Sequence, residues 1–277
     1  MLVHLHSQRI VTIIQMARPL RQKSGTGIYH VMLRGINRQD IFEEEADYIQ
    51  MVSILRGLVD RRDDSGLPLP RLCTIYAYCL MSNHVHLLIR EHTESISGVV
   101  KRIGVTYAHF FNYKYGRDGH LFQDRFRSEP VDSIEYFVIL LRYIHQNPMK
   151  AGIAASLEDY SWSSWMEYEG TRLDSICSTK AVLTRISRED LKDLVCSPVE
   201  GYSQILDIDN DGDKSVSDSD VRAVLLNRQG IANPLMVQSL EKTRRNEVLR
   251  SALSAGAGIR QLSRLTGVSF GVIQKLK

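Results

Sequence analysis

The stretch Cys79-Leu-Met-Ser-Asn-His-Val-His-Leu-Leu-Ile-Arg90 constrains the fold more than any other part of this chain. With Cys73 to Leu80 ahead of it, the segment reads as two apolar strands joined by a short Met-Ser-Asn connection, which commits the chain to a sheet. Side chains at i and i+2 of a strand share a face. His84 and His86 therefore point the same way, with Cα atoms roughly 6.6 Å apart, while Val85, Leu87 and Ile89 pack on the other side. Two neutral imidazoles so placed can converge on one divalent cation. The plainer alternative, a pair of partly exposed strand histidines with no ligand role, is weakened by a tyrosine downstream.

Around this hairpin the chain alternates strands and helices. Gly27 to Leu33 alternates as a strand, and Glu45 to Asp63 carries a helical stripe of Tyr48, Met51, Val52, Leu55, Leu58 and Val59. A turn at residues 65–70 precedes the hairpin, and Ile96 to Tyr115 reads as a helix ended by Gly116. Gly119 to Arg127 reads as extended. Asp132-Ser-Ile-Glu135 resembles a capping box that starts a helix running to Asn147, where Pro148 stops it. The order β-α-β-β-α predicts an α+β fold with a split β-α-β sheet of ferredoxin-like type, one face open for a site and the other covered by helices.

Composition limits what else the chain can be. Its 277 residues, 43% hydrophobic and 24% charged, suffice for one good core and a smaller second module. Cys73, Cys79, Cys177 and Cys196 lack Cys-x-x-Cys spacing, which argues against a disulfide framework or zinc ribbon and for reduced, mostly buried thiols of a cytoplasmic protein. The longest apolar run, Phe137 to Leu141, ends at Arg142, so no membrane span is expected, nor a secretory leader. Charge is uneven: residues 1–39 hold six Lys or Arg and no acid, residues 171–230 carry −3 and residues 231–277 carry +6. Basic ends are what a polyanion exploits through counterion release, although a solvated surface accounts for them equally well.

Residues 171–238 read as a connector with a short helix over Ser187 to Val195 and an acidic loop near Asp207 to Asp220. Asp209, Asp211, Asp213 and Asp220 fall at EF-hand ligand positions, but Lys214 stands where the turn needs glycine, so a solvated linker is favoured over calcium binding. The tail, Ile259 to Ile273, has helix-turn-helix form with Gly267 in the turn and Ser269 positioned to cap the second helix. The expected division is 16–170, 171–238 and 239–277.

On a helical wheel Ile134, Phe137, Val138, Leu141 and Ile144 form one stripe, and Tyr143 lies about 180° from Ile134. Asn147 follows Tyr143 by one turn on the same face, so its amide oxygen could complete a metal site overhung by Tyr143. An ordinary packing role for Tyr143 remains the alternative from the wheel alone.

Tyr143-Ile-His-Gln-Asn-Pro-Met-Lys-Ala-Gly152, together with Leu80-Met-Ser-Asn-His-Val-His86, resembles the bacterial REP-associated tyrosine transposases of the HUH single-tyrosine superfamily. The likeness extends through Gly27 to Phe42, Gly119 to Ser128 and Tyr160 to Ser164, and covers about residues 16–168. Residues 1–15 fall outside it, and His4-Leu-His6 is not the metal pair. The resemblance implies an HUH fold that cleaves and rejoins single-stranded or hairpin DNA with Mg²⁺ or Mn²⁺. It makes His84 and His86 metal ligands, Asn147 the third ligand, and Tyr143 the nucleophile that leaves a 5′-phosphotyrosine and a 3′-hydroxyl. Tyr107, Tyr113 and Tyr115 stay open as other nucleophiles. A phenol with a pKa of about 10 is a weak nucleophile, which is why such chemistry needs a metal.

The segment Tyr107 to Arg127 interleaves aromatics with Lys114, Arg117, Arg125 and Arg127, a mix that stacks bases and tracks phosphates, about half of the aromatics being expected in the core. Arg125 and Arg127, then Arg34 and Arg38, are the expected DNA contacts, with Ser269 in the tail module. A homodimer is left open. The rival reading is a non-catalytic, domesticated regulator that binds repeat DNA.

Overall fold

The computed structural model describes residues 21–123, 126–172, 174–197, 216 and 218–276. In chain order, β1 (Ile28–Arg34) leads to α1 (Glu45–Val59), a small ribbon of β2 (Arg61–Arg62) and β3 (Pro68–Leu69), then β4 (Cys73–Met81) and β5 (His84–Glu91). These are followed by α2 (Ile96–Lys114), β6 (Arg127–Pro130) and α3 (Ile134–Lys150). The main sheet has the order β4-β5-β1-β6 and every pairing is antiparallel. With the β2–β3 ribbon set aside this is the β-α-β-β-α-β arrangement of a ferredoxin-like split sheet, the fold expected from the sequence.

Strand alternation divides the sheet into two faces. Tyr29, Val31 and Leu33 of β1 and Val85, Leu87 and Ile89 of β5 share one core with Met51, Leu55 and Leu58 of α1 and Val99, Ile103, Tyr107 and Phe111 of α2. The Ser95 side chain caps α2 by accepting from the Gly98 amide at 3.3 Å. Leu88 of β5 and Ala77 and Cys79 of β4 belong to a second core with Leu140, Leu141, Tyr143 and Ile144 of α3. Trp165 and Tyr168 of α4 (Trp165–Glu169) extend that second core, as do Leu191 and Val195 of α6 (Arg188–Cys196) beyond the short α5 (Lys180–Leu183).

Two expectations are corrected here. The second face of the sheet is not open, because α3 covers it; a face bearing Met32, Ala77, Cys79 and Leu88 would otherwise leave apolar area in water. Nor does Pro148 stop α3, which runs on to Lys150. Proline removes only its own N–H, here the bond that would reach back to Ile144, and the Ala151 amide still donates to the Asn147 carbonyl at 3.0 Å. The expected apolar stripe is buried at Leu141 and Ile144, but its first residue Ile134 is 58% exposed, and Tyr143, expected off the stripe, is only 3% exposed. Phe137, in the first half of α3, packs its ring edge-on against Tyr76 of β4 at 5.1 Å, so only the first turn of the helix leaves an apolar residue in water.

A third core is wholly helical. Val221 and Leu225 of α7 (Asp218–Gln229), Val248 and Leu249 of α8 (Lys242–Ser254), Leu262 of α9 (Ile259–Thr266) and Ile273 of α10 (Phe270–Gln274) meet there. The core therefore draws on residues upstream of the expected boundary at 239. Gly267 takes a left-handed φ of 71° between α9 and α10, a turn that glycine makes without penalty. Ser269 stands at the N-cap of α10, but its side chain makes no capping bond.

Cys73, Cys79 and Cys177 are buried free thiols and Cys196 is an exposed one. Among the described residues no helix is long and apolar enough to cross a membrane. His4, His6, Arg125, Asp209, Asp211 and Asp213 lie outside the described residues, so the calcium reading of the acidic loop and the role of Arg125 find no structural counterpart; Asp220 lies in the first turn of α7.

Candidate active site

The antiparallel register assembles the site from β1, β5 and α3. Arg34 pairs with His84 and Met32 with His86, so Arg34, Met32 and His30 of β1 share the face of the two histidines. The rings of His84 and His86 stand perpendicular with centroids 4.9 Å apart. Tyr143 reaches this face from α3, its ring edge-on to His86 at 5.5 Å and to His30 at 6.1 Å.

Each imidazole is held by one polar neighbour. His84 Nδ1 donates to Asn83 Oδ1 at 2.6 Å, because the amide oxygen can only accept. That bond fixes the proton on Nδ1 and leaves a lone pair on Nε2. His86 Nδ1 bonds His30 Nε2 at 2.9 Å, the two rings being stacked. Among the described residues neither His84 Nε2 nor His86 Nε2, both buried, has a hydrogen-bond partner. Burial, and then the Arg34 guanidinium, pushes His84 down to about 3. Burial, and then His84, holds His86 well below the usual imidazole range, so both rings are neutral at pH 7.

The turn that follows β1 supports this constellation. Gly35 donates its amide to the Asn83 carbonyl at 2.9 Å, and the amides of Ile41 and Phe42 both reach the Ser82 carbonyl, tying residues 35–42 to the β4–β5 connection. A Cβ on Gly35 would lie 2.2 Å from the Gln39 carbonyl oxygen, so the close approach excludes any side chain. Asn37 and Arg38 are left-handed in this turn, with φ of 51° and 57°.

The expected site residues separate into groups. His84, His86, Tyr143 and Arg34 come together. Asn147 sits half-buried one turn beyond Tyr143, its amide nitrogen donating to the Tyr143 carbonyl at 3.1 Å, which leaves its oxygen to accept. Arg127 is exposed on the edge strand, in the same cross-strand row as Met32 and His86. Arg38 is half-buried in the turn beside Asn83. Ser269 lies in the helical module. Tyr107 and Tyr115, the other candidate nucleophiles, pack on the opposite face, where they bond the Ile41 carbonyl and Asp47. Tyr113 is 87% exposed on the helix that covers that same opposite face.

The aromatics of the Tyr107 to Arg127 segment divide between core and surface, Tyr113 being exposed. Phe111 is core, and Phe110, Tyr115, Phe122 and Phe126 are partly buried against the same core. Lys114 pairs with Glu44 and Asp47, and Arg117 donates to Gln39, so both serve the fold. Three participants went unnoticed in the sequence. His30 and Asn83 hold the two histidines, and the Lys150 ammonium lies 4.9 Å over the Tyr143 ring. Alternation along β1 places His30 with Met32 and Arg34, but only the β1–β5 register shows that this face is the face of His86.

Among the described residues no group of three or more His, Cys, Asp and Glu could hold a metal ion. A cation at the two Nε2 atoms would have to take its other donors from amide, phenol, substrate or water.

Residues 24–147 match the family of transposases described as IS200-like. No curated protein matches the chain. Among solved structures, a REP-associated tyrosine transposase bound to a REP hairpin is similar over 58% of this chain and 90% of its own, with 18% identity and a TM-score of 0.45. A protein of Deinococcus radiodurans R1, assigned as a transposase, is similar over 47% of this chain and 97% of its own, with 20% identity and a TM-score of 0.29. The matched span begins ahead of β1 and ends on Asn147, so the part of the chain that is similar to the IS200-like transposases takes in His30, Arg34, His84, His86 and Tyr143.

Proposed function

We propose that this chain is a metal-dependent endonuclease and strand transferase of single-stranded or hairpin repeat DNA, with Tyr143 as its nucleophile. The observation that carries the reading is the meeting of two neutral, inward-facing imidazoles with a tyrosine ring 5.5 Å from one of them. Of the tyrosines singled out in the sequence, Tyr143 shares a sheet face with the histidines.

His84 and His86 would hold Mg²⁺ or Mn²⁺ through Nε2, with the Asn147 amide oxygen as a third donor. The donor set fits: both nitrogens are buried without a hydrogen-bond partner among the described residues, and imidazole suits Mn²⁺ better than Mg²⁺. When bound, the cation supplies Lewis-acid polarisation of the phosphate oxygens and offsets the charge that builds on them. Tyr143 Oη attacks phosphorus, loses its proton and forms a P–O bond. The P–O3′ bond breaks, and the leaving oxygen takes up a proton to become the 3′-hydroxyl. The 5′-phosphotyrosine conserves the energy of the broken bond, so reversal with a second 3′-hydroxyl rejoins strands without a nucleotide cofactor. Arg34, buried beside His84, adds positive charge for the phosphate, and Lys150 over the Tyr143 ring favours the phenolate.

Incubating the protein with end-labelled single-stranded hairpin repeats and Mn²⁺ tests the reading. Nicking together with a covalent adduct, both abolished by Tyr143→Phe and reduced by at least 100-fold in His84→Ala, is the expected result, removal of comparable transition-state groups costing about 10²–10³-fold. A gel shift with no adduct would favour the non-catalytic repeat-binding regulator instead.

A further inference from the structure

The two buried side chains beside the histidines carry an inference that rests on the proposed metal site and goes beyond it. Asn83 is 8% exposed and His30 fully buried, and each makes one hydrogen bond to one imidazole: Asn83 Oδ1 to His84 Nδ1 at 2.6 Å, His30 Nε2 to His86 Nδ1 at 2.9 Å. Both bonds are made to Nδ1. In both rings it is Nε2 that lies buried without a partner among the described residues.

We infer that Asn83 and His30 are positioning residues that set the tautomer and the ring angle of His84 and His86, so that both present an Nε2 lone pair to a divalent cation. For His84 the assignment follows from the donor chemistry alone, because an amide oxygen accepts and Nδ1 must then carry the proton. For His86, ligation through Nε2 requires Nδ1–H to donate to His30 Nε2, which places the His30 proton on Nδ1. The two ring planes are only 19° apart, and the bond between them is 2.9 Å long. The strands supply the geometry: His30 sits opposite Leu88, one same-face position along from His86, and Asn83 immediately precedes His84 at the end of the connection that Gly35 fixes. A metal-bound imidazole commonly depends on such a partner, whose loss weakens metal affinity by about 10–100-fold.

Calorimetric titration with Mn²⁺, without DNA, tests the inference on the full chain and on Asn83→Ala, His30→Leu and His30→Gln. Leucine fills the space but cannot accept a hydrogen bond, whereas the glutamine amide oxygen can. The expected result is a Kd about 10–100-fold weaker for Asn83→Ala and His30→Leu, with His30→Gln within a few-fold of the parent. Circular dichroism and hairpin-DNA binding in EDTA should stay unchanged, a pattern that a merely structural role would not give. If the parent binds Mn²⁺ and the variants bind it equally well, the inference is overturned and the metal site stands. If the folded parent binds no Mn²⁺ and binds none with hairpin DNA present, the metal site and the inference fail together. Should His30→Leu not fold, Asn83→Ala and His30→Gln carry the comparison.

Discussion

The imidazoles of His84 and His86 owe their neutrality to burial, and the same burial makes the charge of Arg34 felt. Its Cα lies opposite that of His84, and the side chain is 7% exposed, so its guanidinium enters the site from the sheet. Hydrogen bonds to charged groups contribute ~1.5–3 kcal/mol, and a phosphate drawn to this face would gain one from Arg34. Arg34→Ala is expected to lower kcat/KM for nicking by about 10–100-fold, and Arg34→Lys to recover only part of it, since an ammonium cannot make the planar fork. Steady-state kinetics on a labelled hairpin repeat checks both. Arg127 makes a contrasting case on the exposed edge strand: Arg127→Ala should raise KM by a few-fold, leave kcat near the parent value and flatten the salt dependence of binding.

The element that joins the parts is the turn of residues 35–42. Gly35 cannot accept a side chain, so Gly35→Ala is expected to cost ~1–3 kcal/mol, measured as a shift of the urea midpoint without change of slope. Asp40 in the same turn donates its amide to Asp218 Oδ2 at 3.0 Å. Burial, then the Asp218 and Glu43 charges, push the Asp40 carboxyl up to about 7, against opposing contributions from Ser82 and Arg222. Folded Asp40 therefore holds a proton that the unfolded chain releases near pH 4. Its contribution to stability is full below about pH 4 and is lost as pH rises towards 7. Asp40→Asn should remove this slope, so that the fall in Tm between pH 5 and pH 8, followed by calorimetry, becomes shallower by a few degrees.

How much of this was legible in the sequence differs by element. Strand alternation with its turns was enough for the ferredoxin-like sheet, because β1, β4 and β5 are long and their apolar positions are regular. The cover by α3 was not legible. The apolar stripe that the wheel finds is buried at Leu141 and Ile144, yet it begins at the exposed Ile134, and the sheet also buries Tyr143, which lies off the stripe. Pro148 misled because a proline near a helix end loses one bond without breaking the last turn. His30 escaped notice since its meaning depends on register with a strand more than 50 residues away, which periodicity does not encode.

At the scale of the whole molecule, three cores are stitched by a few polar contacts. Asp218, fully buried at the start of α7, accepts from Arg264 at 2.5 Å, from Gln261 at 2.9 Å and from the Asp40 amide, while Arg222 pairs with Glu43 at 2.8 Å across the same boundary. Removing one partner of a buried ion pair costs ~3–5 kcal/mol. Arg264→Ala should therefore loosen α7 to α10 and leave the sheet intact. Hydrogen exchange reads this as faster amides over residues 218–276 with unchanged protection in β1, β4 and β5.

Tyr143, and no other tyrosine, is expected to take the phosphate. The most direct measurement is mass spectrometry of the trypsin-digested protein–DNA adduct formed with Mn²⁺, after nuclease trimming of the DNA. The expected result is a nucleotide phosphate on Tyr143 in the peptide Tyr143-Ile-His-Gln-Asn-Pro-Met-Lys150. A modified Tyr107, Tyr113 or Tyr115, or nicking with no covalent adduct, would contradict it.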